Sequence, residues 1–392
     1  MEAMFRAGPR STMGTSDLLG GTRIRQIRTR ILDVPTVRRH RLSNTAVTHQ
    51  NYVHAEVLFD NGVTGYGEAA TLGGPRWAEE SVEAIRVNIE RYLSPALIGH
   101  PGCHMEAANQ IMAKAAKRNY AAKSAVNAAL LDALGRTLNV DAAALLGGAV
   151  RERFSAVWAL ASGDVAQEIE EAKEKIAERQ FNRFKIKLGF SDIASDLQRL
   201  ERIRAELPDG TEIIADINQS WSEADFLRWL PALEALDLAL VEQPLNAGNI
   251  EGMARAARVA RIPLTLDEGV FTPSEALRSA ATAAGSVLSL KLCKHGSVQA
   301  LQRVAGIADA GGLELYGGCL LESSLGAAAH LAVFATLPKL EWGCEHFGPL
   351  ILQADTTTES LVFEDFHVLR PQGPGLGVEP DLDRLAAYER KD

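Results

Sequence analysis

The chain has 392 residues, 46% hydrophobic and 23% charged. That is ordinary globular composition with material for more than one core, so two domains, or a barrel with a substantial addition, are expected. Its 50 acidic and 41 basic residues give a formal charge of −9, which argues against nucleic acid as a partner but leaves room for a locally positive site that takes a small anion.

Residues 1–22 hold Gly, Ser, Thr, Arg and Asp around no apolar core. They read as a poorly ordered leader rather than a secretory signal, with Met4 and Met13 as alternative starts. No apolar run reaches the roughly 18 residues of a membrane span. The cysteines at 103, 293, 319 and 344 form no Cys-x-x-Cys pair. Reduced thiols in a cytoplasmic protein follow.

Residues 23–150 begin with strands. Ile24 to Val34 alternates loosely and Tyr52 to Phe59 alternates well, closing on the hairpin signal Asp60-Asn61-Gly62. Thr64 to Ala69 pairs back as a third strand. Ala78 to Leu146 then reads as mostly helical, so strands precede helices as in an α+β unit.

From Phe154 short apolar runs alternate with amphipathic helical segments. The runs are Ala156–Leu160, Arg183–Leu188, Glu212–Asp216, Leu238–Glu242, Leu264–Asp267, Val287–Lys291, Leu313–Tyr316 and Leu340–Gly343. Eight such repeats over residues 151–346 describe a (β/α)8-type barrel. Residues 347–392 contain Pro371, Gly373, Pro374 and Gly375. They read as loop, strand and a last short helix packing back on the first domain.

Chemistry in a barrel gathers at the C-terminal ends of its strands. Lys185 and Lys187 close the second run, Asp216 and Asn218 the third, Glu242 the fourth, Asp267 and Glu268 the fifth and Lys291 the sixth, while Glu345 follows the eighth. Successive steps from Lys187 to Lys291 are 29, 26, 25 and 24 residues, each about one strand-helix unit. A single carboxylate at a strand end is usually a helix cap or a surface charge, and one lysine on a strand is usually an edge charge. The other reading of the whole set is a structural ion-pair network. Six groups in phase with the repeat favour chemistry instead. Three converging carboxylates repel one another unless a cation lies between them, and oxygen ligands without His or Cys select Mg²⁺ or Mn²⁺. Lys185 and Lys187 share a strand face and point inward together.

Lys-x-Lys, Asp-x-Asn, Glu-Gln-Pro, Asp-Glu and Lys on consecutive strands resemble the muconate-lactonizing subgroup of the enolase superfamily. So do Asp60 to Ala69, Leu315 to Gly318 with Leu321 to Gly326, Trp342 to Leu350, and Pro374 to Val378. The resemblance implies a modified TIM barrel of (β/α)7β type under an α+β N-terminal capping domain completed by the C-terminal tail. It implies Asp216, Glu242 and Asp267 as ligands of Mg²⁺ or Mn²⁺. Lys187 and Lys291 then face each other as acid/base groups, with Lys185 assisting and Glu345 as a further site carboxylate. His40, Leu72 and Asn218 are expected against the substrate, with His40 to Thr45 in a mobile loop that closes over it.

The implied reaction is reversible lactonisation of cis,cis-muconate to muconolactone through an enolate, in aromatic (catechol) degradation, by a cytoplasmic homo-oligomer (octamer or dimer) acting on a small dicarboxylate. Lys185 and the metal are expected to lower the pKa of Lys187 toward neutrality. Delivery of the proton by Lys187 gives syn addition and by Lys291 anti; both lysines are present. Chloromuconate conversion, o-succinylbenzoate synthesis and N-acylamino-acid racemisation use the same frame. Departures are Gly269, where relatives often have Ser, and Cys319-Leu320, where they often have Thr and Met. The Asp-x-Asp of dipeptide epimerases is absent near Gly317-Gly318.

Overall fold

The computed structural model describes residues 21–41, 45–77 and 79–391. The expected leader, apart from its last two residues, lies outside that range, and so do residues 42–44 of the expected loop.

The first unit opens with an antiparallel meander of β1 (Ile24–Arg41), β2 (Ala46–Phe59) and β3 (Thr64–Thr71). The β2–β3 turn forms where Asp-Asn-Gly requires it: the Phe59 N–H donates to the Val63 carbonyl at 2.9 Å and Gly62 takes φ +86. β1 runs past Val34 to Arg41, so His40 stands on a strand, paired with Val47, rather than in a loop. Helices α1 (Val82–Asn88), α2 (Met105–Ala115) and α3 (Tyr120–Leu138) follow. α3 is buried from Ala121 to Gly135 and its alanines let it press on β3. At Gly67 an added Cβ would lie 2.2 Å from the Ala125 carbonyl oxygen, which leaves glycine as the only residue that fits.

After β4 (Arg153–Ser155) the parallel strands are β5 (Val157–Leu160), β6 (Arg183–Lys187), β7 (Glu212–Asp216), β8 (Leu240–Glu242), β9 (Leu264–Leu266), β10 (Val287–Leu290) and β11 (Glu314–Gly317). They form a 7-stranded sheet in sequential order. Helices α4 (Val165–Ala177), α5 (Ile193–Glu206), α6 (Glu223–Glu234), α7 (Ile250–Val259), α8 (Pro273–Thr282), α9 (Leu292–His295), α10 (Val298–Ala310) and α11 (Ser324–Phe334) lie between or after them. All but α9 begin at a residue whose side chain accepts a hydrogen bond from the first turn: Asp164, Asp192, Ser222, Asn249, Thr272, Ser297 and Ser323.

The eighth run, Leu340–Gly343, is not a strand. One residue beyond it, Cys344, makes parallel bridges to Ala156 and Gly317 and so closes the barrel. Gly343 takes φ +67 with the Ser155 carbonyl where its Cβ would be. That bend leaves only Cys344 in ladder geometry. The tail adds β12 (Phe363–Glu364) and β13 (His367–Leu369) to β4. Its last helix, α12 (Leu382–Tyr388), lies against β1, where the Arg390 guanidinium meets Asp33 at 2.6 Å.

Inside the barrel, Val157, Ile214, Leu240, Val287 and Tyr316 form a dry floor packed by Trp342. Three of them are the first residues of their strands, whereas the charged residues sit at strand ends.

Candidate active site

Two adjoining ladders build one wall. Lys187 pairs in register with Asp216, and Asp216 with Glu242. Alternation puts Lys185 on the same inward face as Lys187. Lys185 is fully buried, with Nζ 2.6 Å from Glu242 Oε2 and 2.7 Å from Glu345 Oε2, and 4.6 Å from the centre of the Tyr316 ring. Lys187 Nζ donates to Asp216 Oδ2 at 2.5 Å and more weakly to Asn218 Oδ1 at 3.5 Å. Glu345 is fixed from its other oxygen by the Cys319 N–H at 3.0 Å.

Asn218 takes left-handed backbone, φ +43. Its N–H donates to Asp216 Oδ1 at 3.0 Å, and its side-chain amide donates to Glu268 Oε1 at 3.0 Å. That conformation is accepted readily by Asn and lets one residue tie two carboxylates together.

The opposite wall carries Lys291, whose Nζ donates to Asp267 Oδ2 at 2.5 Å and lies 4.1 Å from the Trp77 ring centre. Lys294, absent from the sequence reading, is also fully buried. It donates to Asp267 Oδ1 at 2.8 Å, to the Asp267 carbonyl at 2.8 Å and to the Ser289 carbonyl at 2.6 Å. Gln243 was missed as well; its amide oxygen accepts from the N–H groups of Asp267 at 2.9 Å and Gly269 at 3.1 Å. Gly318 is pressed on the Lys291 stem: a Cβ there would lie 2.5 Å from Lys291 Cε. Gly317-Gly318 is thus a close-packing device.

The charges shift one another strongly. Burial, with Asp216, Asp267 and Glu345 nearby, lifts the Glu242 carboxyl to about 8 despite Lys185. Burial beside Asp267 and Asp216 lifts Glu268 to about 7. Asp267 is driven the other way: burial opposes ionisation, but Lys291 and Lys294 hold it far below the usual range. Glu345 is likewise lowered by Lys185, Lys187 and Lys291 against its burial. The lowered pKa expected for Lys187 belongs to a site in which Asp216 holds a metal ion; with Asp216 paired to the lysine itself the direction is different. Burial, the largest influence, and Lys185 push it down, but Asp216, Glu345 and Glu242 together outweigh them, and the pKa is raised. Five carboxylates (Asp216, Glu242, Asp267, Glu268, Glu345) face four ammonium groups (Lys185, Lys187, Lys291, Lys294).

Asp216, Glu242 and Asp267 share this mouth, each against a lysine. Glu242 Oε1 is buried without a hydrogen bond, and Oε2 is held by its 2.6 Å ion pair with Lys185. An orphaned buried carboxylate oxygen in an all-oxygen donor set suits a hard divalent cation. The three carboxylates do not form a closed cluster here. Among the described residues, the trio with ligand atoms all within 4.8 Å of one another is Glu322, His330 and His346. In that trio both His330 nitrogens are committed: Nδ1 bonds the Gly326 carbonyl at 2.8 Å and Nε2 accepts the Leu292 N–H at 2.9 Å. With both His330 nitrogens so engaged, that residue has no lone pair left for a metal, although both His346 nitrogens are without a hydrogen bond.

Leu72, Trp77, Phe271, Cys293 and Leu320 line a small, mostly apolar cavity beside Lys291. A wider cleft of about 540 Å³ runs outward from Glu268 past Trp77, Tyr120 and Phe271. His40 is buried beside Phe347, ring centres 6.4 Å apart. Burial and the charges of Arg38 and Lys187 hold its imidazole neutral, well below its ordinary pKa.

Residues 26–147 match the family model "Mandelate racemase / muconate lactonizing enzyme, N-terminal domain", and residues 167–384 match "Enolase C-terminal domain-like". A chloromuconate cycloisomerase of Cupriavidus necator is 40% identical over 94% of this chain and 99% of its own length. Muconate cycloisomerase 1 of Pseudomonas putida is 39% identical over 92% and 96%. The crystal structure of a muconate lactonizing enzyme from Pseudomonas fluorescens complexed with muconolactone superposes with TM-score 0.93 at 38% identity, over 94% of this chain and 100% of that one. A 2-chloromuconate cycloisomerase from Rhodococcus opacus 1CP gives TM-score 0.92 at 36% identity over the same shares.

Proposed function

The chain belongs to the mandelate racemase / muconate lactonizing enzyme family of the enolase superfamily, a superfamily of metal-dependent enzymes, and we propose that it is a cycloisomerase converting cis,cis-muconate to muconolactone reversibly. The observation that carries this reading is the pair of buried lysines, Lys187 and Lys291, each hydrogen-bonded at 2.5 Å to its own strand-end carboxylate around one mouth.

Asp216, Glu242 and Asp267 would hold the divalent ion, Mg²⁺ or Mn²⁺, which supplies Lewis-acid stabilisation for negative charge developing on a substrate carboxylate. With a +2 ion, the four ammonium groups and five carboxylates leave the mouth net positive, suited to a dianionic substrate. Lys187 and Lys291 hold and move protons at their Nζ atoms. Once Asp216 is engaged elsewhere, Lys185 and burial dominate Lys187 and lower its pKa toward the range a proton donor needs. Lys185 and Glu345 form a buried pair that fixes the floor charge under the reacting carbon. Trp77, Leu72 and His40 cover the site and exclude water, which strengthens each interaction inside.

Chloro-substituted muconates are the second reading. They are favoured by the 40% identity to a chloromuconate cycloisomerase.

The test is an ultraviolet assay of cis,cis-muconate with Mn²⁺, run on the wild type, Lys187→Ala and Lys291→Ala. Turnover by the wild type alone is expected. A wild type inert on muconates yet exchanging the α-proton of an acylated amino acid in D₂O would replace this reading with racemisation. In D₂O the lactone configuration read by NMR identifies the delivering lysine, syn for Lys187 and anti for Lys291.

A further inference from the structure

Lys291 occupies an unusual backbone position. It is the N-cap of α9, with φ −140 and ψ 133, and its side chain makes no capping bond. A Ser, Asp or Asn would normally stand there to satisfy the first N–H groups of the helix. Lys291 cannot, because an ammonium group has no acceptor to offer an N–H, and this one donates to Asp267 and lies over Trp77. The Leu292 N–H is buried in a dry interior, where an unmet donor is costly.

That donor is met from another element. His330, one-third of the way back from the C-terminal end of α11 and 3% exposed, accepts the Leu292 N–H on Nε2 at 2.9 Å. Its other nitrogen, Nδ1, donates to the Gly326 carbonyl one turn earlier at 2.8 Å, which sets the tautomer that leaves Nε2 free to accept. Burial and the Lys291 charge keep the imidazole neutral, lowering its pKa against the pull of Glu322. Gly318 closes the other side of the Lys291 stem.

We propose that His330 is a positioning residue for Lys291: it caps α9 from α11 and so holds the Lys291–Leu292 peptide, and with it the lysine, in its reactive place. The proposal rests on the cycloisomerase reading for its kinetic part only. Displacing a proton-transfer group by about 1 Å lowers turnover by about a hundredfold, so loss of the cap is expected to act on kcat rather than on KM.

Three substitutions separate this role from plain core packing. The Gln amide oxygen reaches the place of Nε2 and can accept the Leu292 N–H. The Asn side chain reaches only the place of Nδ1. Leu reaches neither. His330→Gln should keep kcat within about threefold of wild type, whereas His330→Asn and His330→Leu should lose about ten- to a hundredfold in kcat with KM nearly unchanged. Hydrogen–deuterium exchange of the peptide covering 292–296 should be slow in wild type and His330→Gln and fast in the other two. That readout needs no substrate, so it still decides the capping role if the wild type proves inactive on muconates. If His330→Leu fails to fold, His330→Asn carries the same expectation. Equal kcat in all three variants, or slow exchange at 292 in His330→Asn, would overturn the proposal.

Discussion

The two ends of the barrel interior are built on opposite principles. At the strand starts, Val157, Leu240 and Val287 pack with Ile214 and Tyr316 into an apolar floor. Toward the strand ends, Lys187, Asp216, Glu242, Asp267 and Lys291 are almost as deeply buried and every one is charge-paired, with Lys185 between the two layers, 4.6 Å from the Tyr316 ring. The floor is held by area removed from water, a term that adds up locally. The mouth is held by mutual compensation, so removing one member leaves its partner uncompensated in a low dielectric. Stability is therefore concentrated at one end and reactivity at the other, and substitutions at the two ends should fail in different ways.

The largest separation is expected from the lysines. Lys187→Ala and Lys291→Ala should each lower kcat on cis,cis-muconate by about 10²–10⁴-fold, the usual worth of a positioned acid or base, with the fold kept by circular dichroism and the melting temperature lowered only moderately, since Asp216 retains the Asn218 N–H and Asp267 retains Lys294. A floor substitution should do the reverse. Leu240→Ala opens a cavity in a fully buried position and should cost about 2–5 kcal/mol in urea unfolding, with kcat/KM for the folded enzyme within about twofold of wild type. If Leu240→Ala lost activity as steeply as Lys291→Ala, the division between the ends would not hold.

A subtler break is Gly318→Ala. Its Cβ would fall 2.5 Å from Lys291 Cε, so the lysine must move; kcat should drop about tenfold or more with only a modest loss of stability. The smallest effect sharpens the contrast from outside the barrel. His54, on β2, is buried with neither ring nitrogen hydrogen-bonded. Burial and the nearby Arg30 charge lower its pKa to about 3. The folded state thus keeps it neutral while the unfolded chain takes up a proton below about 6.5. Its contribution is complete above that pH and is lost on acidification toward 3, amounting to about 2 kcal/mol by pH 5. His54→Phe should flatten that acid limb in a pH series of urea melts. An unchanged acid limb would mean that the ring is hydrated or paired in solution.

What could be read from the sequence follows from period and spacing. The strand-end polar residues recur at about one strand-helix unit, and that phase brings Lys185, Lys187, Asp216, Glu242, Asp267 and Lys291 to one mouth, while the family resemblance assigns Glu345 to it. The helices announce themselves through their caps, such as Asp192 and Thr272. What was not legible depends on contacts distant in sequence or on backbone conformations with no periodic trace. Leu340–Gly343 is apolar enough for a strand, but the left-handed Gly343 against the Ser155 carbonyl leaves only Cys344 to bridge. Lys294 lies within a four-residue helix that neither period reveals. Trp77 reaches Lys291 from the first unit. The raised pKa of Lys187 comes from Asp216, Glu345 and Glu242 together overcoming burial and Lys185, whereas the charge-based expectation assigned Asp216 to an ion. His40 stands on the extended end of β1, where a loop was expected, because the alternation of β1 and β2 continues through a bulge between Pro35 and His40.

The most direct measurement is the anomalous scattering of Mn²⁺ in crystals of the protein, collected alongside Glu242→Gln. The account predicts one strong peak at ligand distance from an oxygen of each of Asp216, Glu242 and Asp267, flanked by Lys187 and Lys291, and lost or much weakened in Glu242→Gln. A peak at Glu322, His330 and His346 instead, or none near the three carboxylates, would contradict it.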